Sequence, residues 1–237
     1  KLESLLLVFE KAKDLSNSEV ISFAQAMKME LNVNNVIDIS SDDVDISVSS
    51  GNWLKNIRKK LESPVADNVK MASSFKADLR KYQEIGYSWL NQMIDLELGA
   101  CLADDMGLGK TVQIIAFLEY QRIEKGGKAL LILPTSLIGN WEKEIEKFAP
   151  ELPYQILHKS IAKNSDGLKI NEDKFLYITT YKMVSKIEDL KTREWNYMIL
   201  DEAQAIKNPG TKQTKEIKSI KAKVRIAMTG TPIENRL

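Results

Sequence analysis

The stretch that most constrains the fold of this chain is a short apolar strand, Ala100-Cys101-Leu102-Ala103. It runs into Asp104-Asp105-Met106-Gly107-Leu108-Gly109-Lys110-Thr111 and then into helical residues as far as Gln121. A strand, a glycine loop and a Lys-Thr pair opening a helix make a cradle for phosphate. Backbone N–H groups converge there, and the helix N-terminus adds favourable potential. In such a cradle Lys110 reaches the β and γ phosphates of a nucleotide, and the Thr111 hydroxyl ligates Mg²⁺. Gly107 and Gly109 let the backbone turn tightly and approach the ligand, with Asp105, Met106 and Leu108 completing the loop. The match is imperfect. The general pattern has glycine six positions before the lysine, where this chain has Asp104, and Asp105 adds a second carboxylate beside an anion site.

The segments around this loop alternate between strand and helix. Leu79, Tyr82, Ile85, Gly86, Trp89, Leu90 and Met93 form a helical stripe before it. After it come a buried strand at Ala129–Leu133, stopped by Pro134, and a helix marked by Leu137, Trp141, Ile145 and Phe148. Further strands are expected at 154–157, 175–179, 197–200 and 225–228. Strands alternating with helices imply an α/β fold whose mainly parallel sheet is covered by helices on both faces. Such sheets bind ligands at the carboxyl ends of their strands.

One of those ends carries Met198-Ile199-Leu200-Asp201-Glu202-Ala203-Gln204. A carboxylate pair after an apolar strand, downstream of a phosphate loop, suits nucleotide hydrolysis. Asp201 would hold Mg²⁺, mostly through water. Glu202 would orient or deprotonate the attacking water.

Taken in order, these motifs resemble the superfamily-two helicase-like ATPases, and specifically the Swi/Snf-type DNA translocases, over about residues 75–237. Leu79-Arg80-Lys81-Tyr82-Gln83 looks like the adenine-reading Q motif, with Gln83 as the reader. Asp104 to Thr111 is similar to motif I, which in this family tolerates an acid at the first position; Asp105 stands where the family has Glu. Leu133-Pro134-Thr135-Ser136-Leu137 with Asn140-Trp141 resembles motif Ia, and Thr179-Thr180-Tyr181 motif Ib. Asp201 to Gln204 is similar to motif II. Met228-Thr229-Gly230-Thr231-Pro232-Ile233-Glu234-Asn235 is similar to motif III.

The resemblance implies a RecA-like P-loop lobe, the first of two, in an ATP- and Mg²⁺-dependent hydrolase that moves along double-stranded DNA without separating its strands. It implies that Pro134, Thr135, Ser136 and Thr180 lie on the DNA track, and that Thr229, Gly230 and Thr231 couple nucleotide state to DNA contact. The chain stops just after motif III. The second RecA-like lobe, with its arginine finger, is therefore expected from the rest of the same protein, and the isolated chain is expected to bind ATP weakly and hydrolyse it negligibly. An RNA helicase lobe with the same engine and a non-catalytic nucleotide- or DNA-binding fragment are the alternatives. The form of motif II looks bacterial or archaeal, which implies a cytoplasmic, nucleoid-associated protein; a eukaryotic source would place it in the nucleus.

Residues 1–74 differ in texture. Helical spacing at Leu2, Leu5, Leu6 and Phe9, a second helix from Ser18, alternating Val36–Ile39 and Val44–Val48, and a helix at Trp53–Leu61 suggest a small α+β appendage. Glu62–Ser74, with Pro64, reads as a linker. Lys1 in place of Met points to a piece of a longer protein. The longest apolar runs are about five residues, against the roughly 20 that a membrane span needs, so no membrane partner is expected. The net charge of +1 decides nothing about nucleic acid. Locally, Lys212, Lys215 and Lys218 give one helical face a positive stripe. His158 has no partner pattern, Cys101 is expected in the core, and Trp141 serves either the core or the DNA track.

Overall fold

The structure, a computed structural model, describes residue 59 and residues 70–96, 98–158 and 170–231. The expected N-terminal helices and hairpin, and Pro232 to Asn235 of the last motif, lie outside the described residues. The chain divides into two units, Lys1–Pro64 and Val65–Leu237, and all that follows concerns the second.

Its first described helix is α1 (Lys81–Asp95). Then come β1 (Ala100–Leu102), α2 (Lys110–Glu124), β2 (Ala129–Leu133), α3 (Ile138–Phe148), β3 (Tyr154–Leu157) and β4 (Leu176–Thr180). The chain continues through α4 (Asp189–Thr192), β5 (Glu194–Leu200), α5 (Lys212–Ser219) and β6 (Lys221–Met228). The six strands form one sheet in the order β1-β6-β5-β2-β4-β3, and every pairing is parallel.

Alternation along the strands explains the two buried faces. Leu131 and Leu133 of β2 and Tyr197 and Ile199 of β5 pack with Leu90, Phe117 and Trp141 of α1, α2 and α3. Leu130, Ile132, Met198 and Leu200 point the other way, onto Leu190 of α4 and Ile217 of α5. With every residue of β2 buried, the strand reads as a continuous apolar run, as a parallel strand covered on both sides must.

The register sets the site. Leu102 lies opposite Met228, Leu200 opposite Ala227, and Leu133 opposite Thr180. The carboxyl ends of β1, β6, β5, β2 and β4 therefore emerge along one edge. Sequence order does not reveal that β6 separates the phosphate-loop strand from the strand carrying Asp201.

Three details differ from the sequence reading. Tyr87, Ser88 and Asn91 of α1 are buried while Tyr82 and Ile85 are exposed: the helix turns the face carrying Gln83, Tyr87, Leu90 and Asn91 inward, and Tyr82 donates its hydroxyl from the surface to Leu108 O at 3.2 Å. β6 starts at Lys221, four residues before the expected Arg225, so the basic run changes from helix to strand after Ser219. Cys101 is exposed, since it belongs to a three-residue edge strand that β6 flanks on one side.

Candidate nucleotide site

The phosphate loop closes between β1 and α2. Gly107 (φ +85°) and Gly109 (φ +77°) both take left-handed conformations that cost a side-chain-bearing residue about 1–2 kcal/mol. Gly109 is also the residue that caps α2, and a Cβ there would stand 2.5 Å from Gln83 Nε2. The ammonium of Lys110 donates to Asp104 O at 2.6 Å and Asp105 O at 3.1 Å, which holds it at the mouth of the loop. Gln83, buried in the first turn of α1, receives Arg80 N at its Oε1 (2.9 Å) and donates from Nε2 to Leu108 O (3.0 Å). The amide is thus tied to the loop, with one N–H and one lone pair to spare.

Asp201 follows β5 and is 7% exposed. Its Oδ1 accepts from Glu202 N at 2.9 Å and its Oδ2 from the indole Nε1 of Trp141 at 2.7 Å. Burial pushes this carboxyl above its ordinary value. The two N–H donors and the charge of Lys110 work in the opposite direction. Tyr181 donates its hydroxyl to Asp201 O at 2.7 Å. Burial beside these two acids pushes the phenol far above its usual value, so it stays a donor. Glu202 has φ +51°, the one positive-φ non-glycine among the described residues. Strain of about 1–3 kcal/mol at such a position persists only where the surroundings enforce it, and it gathers at functional sites.

A side-chain relay leaves this acid. Gln204 Nε2 donates to Glu202 Oε2 at 2.5 Å, and its Oε1 accepts from Thr229 Oγ1 at 2.9 Å. Thr229 Oγ1 in turn accepts from Thr231 N at 3.1 Å, and Thr229 N donates to Leu102 O at 3.2 Å. A Cβ on Gly230 would meet Met106 Cγ at 2.9 Å, so the last motif also lies against the phosphate loop. The expected loop, acid pair and coupling residues are thus brought to one edge of the sheet.

The sequence profile of the SNF2-related domain matches residues 82–237. This chain belongs to the SNF2-related family. It is 38% identical over 212 residues to YwqA of Bacillus subtilis, whose name carries the words ATP-dependent helicase/translocase, covering 83% of this chain and 23% of that protein. It is 34% identical to the chromatin-remodeling ATPase INO80 of Arabidopsis thaliana, covering 94% of this chain and 15% of the relative. The fold superposes on the Sulfolobus solfataricus SWI2/SNF2 ATPase core in complex with double-stranded DNA. The TM-score is 0.66 and the identity 45%, over 72% of this chain and 35% of that one. The chain spans about a quarter or less of these two curated relatives.

The SNF2-related lobe departs from expectation at the DNA track. Thr135 and Ser136 are exposed and Pro134 half-buried at the end of β2, but Thr180 is 1% exposed. Its hydroxyl is shut inside, because the last residue of β4 is still covered on both faces. Lys182, two residues on, is exposed. Trp141 is fully buried, so it supports the site from within and has no surface to offer a track. The sequence reading placed Trp141, Tyr181 and Gln204 within motifs but gave them no part in the nucleotide site, and it did not single out Gln113. Only the Asp104 anomaly, an acid where a glycine is usual, hinted at a partner.

The residues present fit a magnesium nucleotide. The loop offers left-handed glycines, a helix N-terminus and an ammonium. Asp201 keeps lone pairs beyond the two used by Trp141 and Glu202. Among the described residues no cluster of three or more His, Cys, Asp or Glu could hold a metal. Mg²⁺ needs none, since it binds through one or two protein oxygens together with phosphates and water.

Proposed function

We propose that this chain is the first motor lobe of an ATP-dependent double-stranded DNA translocase, binding ATP with Mg²⁺ and completing hydrolysis when the second lobe of the same protein closes on it. The observation that carries this reading is the convergence of the Lys110 loop with the Asp201–Glu202 pair on one sheet edge, linked through Gln204 to Thr229.

In this reading Lys110 binds the β and γ phosphates, while Thr111 and Asp201 hold Mg²⁺. The metal would neutralise charge on the transferred phosphoryl group. Glu202, fixed by its left-handed backbone and by Gln204, orients the attacking water or takes its proton. Gln83 presents its spare amide donor and lone pair towards adenine. The DNA partner is inferred from the solved complex of the Sulfolobus core with double-stranded DNA and from Thr135, Ser136 and Lys182, which are exposed just past the carboxyl ends of β2 and β4.

The test is the ATPase rate of the protein carrying both lobes, with no nucleic acid, with duplex DNA and with duplex RNA. Stimulation by duplex DNA, lost in Lys110→Ala, is expected. Stimulation by duplex RNA alone would overturn the DNA assignment, and turnover that survives Lys110→Ala would overturn the nucleotide site.

A further inference from the structure

Asp104 occupies the place where most phosphate loops begin with glycine, and its carboxylate is not idle. Oδ2 accepts a hydrogen bond from Gln113 Nε2 at 2.9 Å, and the same Nε2 lies 3.4 Å from Gly109 O. One buried amide therefore spans both ends of the loop, the residue six before Lys110 and the residue directly before it. Gln113 sits on the first turn of α2 and is fully buried. Its Oε1 has no hydrogen-bond partner and faces Gly86 of α1, where a Cβ would stand 2.1 Å away. The amide is thus confined from behind by α1, and its orientation is set by what Asp104 accepts.

The residue that Gln113 fixes is also the one whose backbone carbonyl receives Lys110 Nζ at 2.6 Å. Moving the Asp104 side chain moves that carbonyl and the ammonium on it. We infer that Asp104 and Gln113 form a positioning pair that closes the phosphate loop and sets the place of Lys110, doing with a side-chain hydrogen bond what the missing glycine does with backbone freedom. The inference rests on the nucleotide-site reading above. Its chemistry has a direction, because the carboxylate accepts and the amide donates. A pair that merely filled space would be indifferent to that direction.

The experiment exploits this. Affinity for a fluorescent ADP analogue with Mg²⁺ is measured in the intact protein and in Lys110→Ala, Asp104→Asn, Gln113→Glu and the double variant Asp104→Asn/Gln113→Glu, each with a thermal melt. Asp104→Asn keeps an acceptor and should bind within about threefold of the parent. Gln113→Glu sets two carboxylates face to face and should weaken binding about tenfold or more, the equivalent of one charge-assisted hydrogen bond. In the double variant the new amide donates to the new carboxylate, and affinity should return to within about threefold. Normal binding by Gln113→Glu, or a double variant as weak as the single one whether folded or not, overturns the pair. If the parent does not bind, or Lys110→Ala binds as well as the parent, the nucleotide reading falls first and the pair's role falls with it.

Discussion

The indole N–H of Trp141 donates to Oδ2 of Asp201 at 2.7 Å, across 60 residues of sequence. The indole is fully buried and the carboxylate 7% exposed. A helix of motif Ia thereby holds the acid of motif II, while the other carboxylate oxygen is held by the next backbone N–H. Trp141→Phe keeps the ring and removes the donor, leaving a buried charged acceptor one bond short. The expected loss is about 2 kcal/mol of stability, read by urea unfolding. The tightening of ADP by Mg²⁺, measured against EDTA, should shrink as Asp201 swings free.

Asp201 also has a pH signature. Burial raises its carboxyl above the ordinary value of 3.8. The folded state therefore binds this proton more tightly than the unfolded state does. That contribution to stability is present below about pH 4 and is lost as pH rises through the folded value. Asp201→Asn does not titrate. The melting temperature of Asp201→Asn minus that of the parent should accordingly be more positive at pH 7 than at pH 4. An equal difference at both would contradict the burial argument. Activity should be lost in either case.

The relay from Glu202 through Gln204 to Thr229 predicts a split between binding and turnover. Thr229→Val is near-isosteric and removes the hydroxyl that donates to Gln204 and accepts from Thr231. ADP affinity should stay within about twofold. The turnover rate with duplex DNA should fall about tenfold, the worth of one well-placed hydrogen bond to a charged network. Steady-state kinetics with separate kcat and KM values check this.

Gly86 of α1 faces the side chain of Gln113 on α2. Gly86→Ala places a Cβ 2.1 Å from Gln113 Oε1. Although alanine favours helix, the overpacking should cost about 1–3 kcal/mol, seen as a lower urea midpoint with an unchanged slope. A neutral or stabilising result would show that Gln113 has room to retreat.

Much of the site was legible from local chemistry. Gly107, Gly109, Lys110 and Thr111 are dictated by what a phosphate needs within eight consecutive residues, and Asp201-Glu202 by what a strand end can present. The strands followed from apolar runs, with boundaries out by up to four residues at β6, where Lys223 and Arg225 alternate with inward Val224 and Ile226. Thr180 and Cys101 went the other way. One is a polar residue at a strand end that proved buried, and the other is an apolar-looking residue that proved exposed. Burial depends on which strands and helices lie alongside, and no window of sequence contains that.

The sequence by itself determined the fold class, the motif order and the groups proposed to meet phosphate and metal, because periodicity and loop chemistry act over a few residues. The tertiary structure alone decided that β6 lies between β1 and β5, which sets Thr229 against Leu102 and within reach of Gln204. It also decided that Trp141 holds Asp201, that Gln113 holds Asp104, and that Glu202 bends into a left-handed conformation. Each of these is fixed by strand register and helix packing, which bring together groups as far apart in sequence as Leu102 and Thr229.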